Sequence, residues 1–177
     1  MKQPNLKINK QLILRQLRKS DAKSLVKYGN NKKIAVFLTD SFPHPYKVSD
    51  ARKFIRNVLN EVRKKEPKNI VFGIEINGEV VGCVGLHRVK HNHKAEFGYW
   101  LGENFWGGGI MTKAVKKVSA FAFRELRIRR IVAYTLLNNE GSKRVLEKSG
   151  FELEGIAKKY LKKKNKFLDV YQFAKTK

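Results

Sequence analysis

The sequence predicts a single domain of the α+β or α/β class, built on a mixed sheet with helices packed around it. Three observations support this prediction. The length of 177 residues fits one domain, a hairpin signal stands in the middle of the chain, and strands alternate with helices in its second half. A hairpin meander combined with βα units predicts antiparallel and parallel pairs in one sheet. We therefore expect residues 1–177 to form this domain.

The chain begins with a predicted strand and a predicted helix. The segment QLILRQL, residues 11–17, predicts the first strand. Ser20 and Asp21 are helix-capping residues, so a helix is expected over 21–29. A second short apolar element runs from Ile34 to Leu38.

A longer helix is predicted after a proline-containing loop. Pro43 and Pro45 favour an extended backbone in that loop, and Ser49 is the expected helix cap. Apolar residues then recur at helical spacing: Ala51, Phe54, Ile55, Val58, Leu59 and Val62.

The middle of the chain predicts a β-hairpin and a further strand. The segments 70–76 (IVFGIEI) and 79–89 (EVVGCVGLHRV) flank Asn77-Gly78, a residue pair typical of a type I′ turn. Residues 94–101, KAEFGYWL, predict the next strand.

The second half of the chain alternates helices and strands. A helix is expected from 110 to 126, a strand over 130–137 and a helix over 140–148, which Gly150 ends in a left-handed conformation. Two closing strands surround the lysine-rich turn KKKNK. The predicted order is therefore β-α-α-β-β-β-α-β-α-β-β.

The composition restricts the classes of function. The chain has 39 Lys and Arg against 15 Asp and Glu, a formal net charge of +24, which predicts attraction to polyanions and to phosphate-rich ligands. No known nucleic-acid motif is present. No stretch approaches the roughly 18–20 apolar residues of a membrane span, and no signal-type apolar run follows the N-terminus. We expect a cytoplasmic protein that does not enter a membrane.

Cysteine and histidine give little sign of nucleophilic or metal chemistry. Cys83 is the single cysteine, so no internal disulfide can form, and its apolar neighbours favour a small buried hydrophobe. His87, His91 and His93 lack a neighbouring acid or second cysteine, so no metal site is expected.

A glycine-rich segment is the most informative local feature. Residues 104–112, NFWGGGIMT, lie between a predicted strand and a predicted helix. Gly107, Gly108 and Gly109 let the backbone approach a ligand without side chains in the way, and free N–H groups at a helix start favour an anion. The segment matches neither GxxxxGK[ST] nor GxGxxG. Its strand–turn–helix setting nevertheless predicts a phosphate-binding turn.

Four stretches of the chain are similar to one known family. They are FPHPYKVSDARKFI (42–55), AEFGYWLGENFWGGGIMTKAV (95–115), NNEGSKRVLEKSGFELEG (138–155) and KKYLKKKNKFLDVYQFA (158–174). Through them the sequence resembles the GNAT acyltransferases, in particular the Rim-type branch of ribosomal-protein N-terminal acetyltransferases. With residues 11–17 and the hairpin, the resemblance covers nearly the whole chain.

The resemblance implies both a fold and a cofactor. The fold is the GNAT acyl-CoA N-acyltransferase fold, with a mostly antiparallel sheet that splays between strands 4 and 5. The implied cofactor is acetyl-CoA. Its pantetheine arm would lie beside Tyr99, Trp100 and Leu101, and Asn139 matches a family Asn that commonly contacts the cofactor. The implied pyrophosphate site comprises Trp106, Gly107, Gly108, Gly109, Ile110, Met111 and Thr112, and Ser142 is a further cofactor neighbour.

Three residues depart from the broad family pattern. Trp106 stands at its first position, where the pattern has Gln or Arg, although a Trp there is normal for this branch. Met111 stands at the last position of Gln/Arg-x-x-Gly-x-Gly/Ala, so its side chain has to turn away from the phosphates. Leu146 stands where many members carry a tyrosine general acid, which excludes a tyrosine acid at that site.

Direct transfer of the acetyl group to an amine is expected, because no Cys or Ser nucleophile with a nearby His stands out. Glu96 is the first candidate base, since it lies on the central strand upstream of the cofactor loop. The alternatives are that Glu96 faces away or pairs with a lysine. Ser142 either donates a hydrogen bond to the leaving sulfur or merely begins a helix, and N–H groups near Leu101 are expected to polarise the carbonyl.

Several aromatic residues are candidates for the acceptor pocket or, alternatively, for the core. They are Phe42, Tyr46, Phe72 and Trp100, with His87 a weaker candidate at a strand end.

The acceptor suggested by the branch resemblance is a protein N-terminus, such as that of a ribosomal protein. The basic surface disfavours polyamines and aminoglycosides, because a cationic acceptor needs carboxylates at its site. It favours association with the ribosome or RNA. A small amine as acceptor, and a non-catalytic RNA- or ribosome-binding module on the same fold, remain open, as do a monomer and a homodimer.

Overall fold

The structure, a computed structural model, describes residues 3–177, which form an eight-stranded mixed sheet with helices on both faces. The predicted α/β class and mostly antiparallel sheet are confirmed. Met1 and Lys2 of the predicted domain lie outside the described residues.

Two short strands and three helices make up the first part of the chain. The strands are β1 (Leu6–Lys7) and β2 (Leu12–Arg15), and the helices are α1 (Ala22–Gly29), α2 (Lys32–Ala35) and α3 (Val48–Val62). The sequence predicted β2, α1 and α3 but missed β1, since two residues show no period. The predicted cap of α3, Ser49, is wrong. Lys47 is the N-cap, and its N–H donates to the Asp50 carboxylate at 2.9 Å.

Six strands and two helices follow, close to their predicted bounds. They are β3 (Ile70–Ile76), β4 (Glu79–Lys90), β5 (Lys94–Leu101), α4 (Ile110–Glu125), β6 (Arg130–Leu136), α5 (Glu140–Lys148), β7 (Glu152–Lys163) and β8 (Lys166–Thr176). The β3–β4 turn has φ of 50° at Asn77 and 85° at Gly78, which confirms the type I′ prediction. Gly150, at φ 78°, ends α5 as predicted.

The sheet opens between two neighbouring strands. The strand order is β1-β2-β3-β4-β5-β6-β8-β7, and β5 lies parallel to β6. The pairing covers only Lys94–Phe97 of β5 and Arg130–Ala133 of β6. Beyond it, residues 98–101 of β5 and 134–136 of β6 diverge, and we call the opening between them the gap. These are the fourth and fifth strands of the predicted order, so the predicted splay is confirmed.

Two apolar clusters pack against opposite faces of the sheet. Phe97 and Leu101 of β5 point to the cluster that contains α4 and α5, and we call this side the α4 face. Trp100 points to the cluster that contains α1 and α3, and we call this side the α1 face. Because β5 keeps a regular register against β4 from Glu96 to Leu101, its side chains alternate strictly between the two faces.

A buried ion cluster fixes α1 against the sheet. Arg15 of β2 donates to the two carboxylate oxygens of Asp21 at 2.8 and 2.9 Å, and also to Glu75 of β3. Burial opposes ionisation of Asp21, but the hydrogen bonds from Arg15 and from the Arg18 main-chain N–H, together with the positive charges of both residues, outweigh it and hold the pKa of this carboxyl below its usual range. Removing one partner of such a buried pair typically costs about 3–5 kcal/mol.

Other sequence expectations concern cysteine, metal ions and membranes. Cys83 is 3% exposed and packs in the α1-face cluster, as predicted for a small buried hydrophobe. Within residues 3–177 no group of three His, Cys, Asp or Glu side chains could hold a metal ion. No helix in the same range has the length and hydropathy to cross a bilayer.

Candidate active site

The gap exposes main-chain hydrogen-bonding groups of β5. Gly102 N donates to Val81 O at 2.8 Å, which fixes the alternation of β5 against β4. It follows that the main-chain groups of Trp100 face β4, whereas those of Tyr99 and Leu101 face the gap, where β5 has no ladder partner after Phe97. The gap edge is thus suited to pair with an extended ligand that carries amides.

Trp106 joins the glycine turn to this strand. Its indole Nε1 donates to Leu101 O at 2.8 Å, while the ring remains 47% exposed. The indole of Trp106 therefore occupies the carbonyl oxygen of Leu101, whereas the N–H of Leu101 still faces the gap. The structure gives it a role in holding the turn against the strand.

The glycine turn presents a row of main-chain N–H groups. Gly109, at φ 69°, is the N-cap of α4. After Trp106, the main-chain N–H groups donate to no acceptor within residues 3–177 until Lys113. The N–H of Lys113 donates to Gly109 O at 3.1 Å. The amides of 107–112 are thus free of partners in the described chain, and the first turn of α4 carries no acidic residue. This arrangement suits an anion.

The space in front of the turn is open. A Cβ atom at Gly107 or Gly109 would meet nothing within 4 Å, and one at Gly108 would meet only Ile110 Cδ1 at 3.9 Å. Packing therefore does not explain three glycines, whereas the close approach of a ligand does. Met111 is 6% exposed and lies in the core, so its side chain turns away from the turn as predicted. These residues fit the diphosphate of acetyl-CoA.

Two hydroxyl groups meet on the α4 face beside the gap. Tyr99 Oη and Ser142 Oγ lie 2.8 Å apart, and burial raises the pKa of Tyr99 well above its usual value. Asn139 caps α5, because its Oδ1 accepts from Ser142 N at 3.1 Å. Leu146, at the position of the family's tyrosine acid, is fully buried. The structure thus brings the predicted residues Tyr99, Asn139 and Ser142 together.

Thr135 is a polar residue that the sequence analysis missed. It lies on the part of β6 that pairs with β8 but no longer with β5. It is 4% exposed, and its Oγ1 has no hydrogen-bond partner in the described chain. A buried hydroxyl without a partner is costly, and this one lies on β6 beyond its last pair with β5, next to the gap. The available signal was a threonine beside Tyr134 in the otherwise apolar run IVAYTLL.

Three of the predicted acceptor residues form one aromatic wall on the α1 face. Phe42 stacks on Tyr46 with ring centroids 4.5 Å apart and packs against Trp100 at 5.6 Å. Tyr46 is 4% exposed and belongs to the buried α1-face cluster, so it supports the wall from the core, whereas Phe42 and Trp100 are only partly buried. Phe72 is not part of this wall. It is fully buried on the α4 face, against Phe121 at 5.6 Å.

His87 and Glu96 lie on the same face as this wall. They are paired neighbours on β4 and β5. His87 Nδ1 lies 3.1 Å from Asn69 Oδ1, and the Glu96 carboxylate forms an ion pair with Arg88. Glu96 still belongs to the part of β5 that pairs with β6, opposite Val132, so it precedes the gap.

The tip of the β7–β8 hairpin packs over the α1 face, on the side that carries the aromatic wall. Lys163 Nζ donates to the carbonyl oxygens of Ala35, Val36 and Leu38 at 2.6–2.7 Å. Lys164 N donates to Asp40 at 2.6 Å. These contacts, which we call the clasp, tie the hairpin to the loop that carries the aromatic wall. The α1 face beside the gap is therefore bounded by two chain segments.

The comparisons with known proteins agree with this geometry. Residues 11–152 match the family described as "Acetyltransferase (GNAT) domain". The chain is 30% identical over 165 residues to "Uncharacterized N-acetyltransferase p20" of Bacillus licheniformis, covering 92% of this chain and 91% of the relative. It is 31% identical over 157 residues to "Putative ribosomal N-acetyltransferase YdaF" of Bacillus subtilis (strain 168), covering 86% and 84%. The structure of the microcin C7 self immunity acetyltransferase MccE in complex with acetyl-CoA and AMP is similar with a TM-score of 0.85, at 26% identity and coverage of 96% and 94%.

Proposed function

The chain belongs to the GNAT acetyltransferase family and is an acetyl-CoA-dependent N-acetyltransferase, and from this premise we propose that its acceptor is the α-amine of a protein N-terminus. Because the chain is an enzyme of this family, we do not propose that it is a non-catalytic RNA- or ribosome-binding module. We also propose that residues 1–177 form one catalytic domain.

Main-chain groups would hold the cofactor. The amides of 107–112 suit its diphosphate, and Tyr99 and Leu101 suit its pantetheine arm, with Asn139, Ser142 and Thr135 along the gap. When bound there, acetyl-CoA supplies an acetyl thioester at the end of β5. The N–H of Leu101 faces the gap and is available to a carbonyl oxygen. The Tyr99–Ser142 hydroxyl pair is available as a hydrogen-bond donor to the leaving sulfur.

Transfer is direct, from thioester to amine. The single cysteine, Cys83, is buried, and burial raises the pKa of its thiol, so it is unsuited to be a nucleophile. An attacking amine has to be neutral. An α-amine has a pKa near 8, so its deprotonation at pH 7 costs about 1.4 kcal/mol, whereas a lysine side chain costs about 4.6 kcal/mol. A modest base is therefore sufficient for an N-terminus.

The observation that carries the proposal is the chemistry of the acceptor side. Its wall is aromatic, from Phe42, Tyr46 and Trp100, and the carboxylate that β5 presents there, Glu96, is already paired with Arg88. Such a surface suits one amine attached to a polypeptide better than a polycation, which needs free carboxylates. The relative YdaF, described as a putative ribosomal N-acetyltransferase, supports the same acceptor.

A panel of acceptors tests the proposal. We expect acetylation of peptides with a free N-terminus, and at least tenfold lower kcat/KM for N-terminally blocked peptides with an internal lysine and for polyamines. Mass spectrometry of the products identifies the modified nitrogen. Transfer only to lysine side chains or to small amines would replace the N-terminus with that acceptor.

The charge of +24 extends the proposal to the site of action. We place the enzyme in the cytoplasm, associated with the ribosome, where anionic RNA surrounds basic ribosomal proteins. Its state as a monomer or a homodimer stays a prediction, which light scattering can measure.

A further inference from the structure

We propose that His87 is the general base, which takes the proton of the acceptor amine at Nε2; this inference rests on the acetyl transfer proposed above. His87 was expected only as a weak pocket residue. Glu96 and His87 are the two candidate bases on the acceptor side, and the geometry separates them.

The imidazole of His87 lies over the mouth of the gap. A Cβ atom at Gly98 would stand 3.0 Å from His87 Nε2 and 3.1 Å from Cδ2, so the ring covers this glycine. Gly98 is the first residue of β5 beyond its last pair with β6. The absence of a side chain at residue 98 is what allows the imidazole to reach this point.

The hydrogen bond to Asn69 selects the tautomer. Asn69 Oδ1 can only accept, so His87 Nδ1 carries the proton and Nε2 carries the lone pair. Nε2 has no partner within residues 3–177 and is not among the fully buried unpartnered atoms, so solvent reaches it. Asn69 is held in turn, because its N–H donates to Glu61 of α3 at 3.2 Å.

The surroundings keep the ring neutral. Burial lowers the pKa of His87, Glu96 on β5 opposes this, and Arg88 on β4 adds to it. Glu61, on α3, contacts the Asn69 main chain. A neutral imidazole at pH 7 can accept a proton, whereas Glu96 is engaged by Arg88 and precedes the gap.

The step balances in atoms and electrons. The amine nitrogen forms a bond to the acetyl carbon, and the carbon–sulfur bond breaks with its electron pair on sulfur. The proton lost by the amine passes to His87 Nε2 and from there to solvent. No oxidant or reductant is needed.

The test is the pH dependence of kcat at saturating acetyl-CoA and saturating N-terminal peptide. In the wild type, kcat should rise with pH through the titration of His87, below the usual pKa of about 6.5. His87→Gln should lose this limb and about 100-fold or more of kcat, with acetyl-CoA affinity and melting temperature unchanged. His93→Gln, a change of the same type at an exposed turn residue, should resemble the wild type.

Two variants that keep His87 provide a second readout. Asn69→Asp places a carboxylate on the Nδ1 proton, so the limb should move to higher pH by about one unit or more. Glu96→Gln removes a charge that raises the pKa of His87, so the limb should move to lower pH while kcat at pH 8 persists.

The outcomes separate the two proposals. Wild-type kcat and an intact limb in His87→Gln would overturn the base assignment and leave the acceptor proposal standing. If wild type acetylates no N-terminal peptide, the acceptor proposal fails, and the same profiles are measured with the amine that is acetylated. Loss of the limb in Glu96→Gln instead would assign the base to Glu96.

Discussion

The three glycines of the 107–109 turn meet two different local requirements. Gly107 and Gly109 have φ of 80° and 69°, in the left-handed region that costs other residues about 1–2 kcal/mol. Gly108 has no such requirement, and a Cβ atom there meets only Ile110 Cδ1 at 3.9 Å. Backbone strain therefore explains two of the glycines, whereas open access for a ligand is needed to explain the third.

A pair of matched alanine variants separates strain from binding. Gly109→Ala and Gly78→Ala both place a methyl group at positive φ, where nothing lies within 4 Å. Both should lower the free energy of unfolding by about 1–2 kcal/mol. Only Gly109→Ala should weaken acetyl-CoA binding, by about tenfold or more, because its methyl group stands in the diphosphate site. Denaturant unfolding and calorimetric titration measure the two effects. Equal acetyl-CoA affinity in both variants would place the diphosphate elsewhere.

At the scale of single residues, the sequence indicated the character and burial of a side chain better than it indicated its contact partners. Cys83 is buried, as its apolar neighbours predicted, and Met111 points into the core, as its place in the family pattern implied. Trp106, by contrast, binds Leu101 O through its indole, and no local pattern reveals this bond. The partner of His87 is Asn69, on the other side of the hairpin. Such pairs depend on the register of β3, β4 and β5, which side-chain periodicity alone does not determine.

Among the elements, those with a strong local signal were predicted well. Asn77-Gly78 determined the hairpin and the glycine turn determined the start of α4. The two residues of β1 carried no signal. The hydrogen bond from Gly102 N to Val81 O determines which main-chain groups of β5 face the gap. The sequence alone does not reveal this bond. The existence of the gap could be inferred from the family resemblance, whereas its hydrogen-bonding edge could not.

The clasp between the β7–β8 hairpin and the 35–40 segment predicts a selective effect on the acceptor. Lys163→Met removes the donor to three carbonyl oxygens, so the loop carrying Phe42 and Tyr46 should loosen. If binding of the peptide loses about the worth of one of these hydrogen bonds, about 1–1.4 kcal/mol, KM for the peptide should rise about 5- to 10-fold with unchanged acetyl-CoA affinity. Steady-state kinetics with each substrate varied measures both.

A matched control for the clasp exists in the same hairpin. Lys166→Met makes the same charge change at an exposed residue and should leave both constants at wild-type values. An equal rise in peptide KM for Lys166→Met would assign the effect to lost surface charge instead of the clasp.

The charge of the whole molecule predicts how it associates with the ribosome. With +24 spread along the chain, binding to ribosomal RNA should be mostly electrostatic and should weaken steeply with salt. Co-sedimentation with ribosomes should be clear at about 50 mM salt and about 100-fold or more weaker at about 200 mM. Failure to co-sediment at low salt would remove the ribosome from the proposal without affecting acetyl transfer.

The central claim is that the main-chain amides at the start of α4 bind the diphosphate of acetyl-CoA. Nuclear magnetic resonance of isotope-labelled protein during acetyl-CoA titration tests it directly, because each amide proton reports its own hydrogen bond. We predict large shifts and slower hydrogen exchange for the amides of 107–112, in step with cofactor binding. Saturation with acetyl-CoA that leaves these six amides unshifted, while others move, would contradict it.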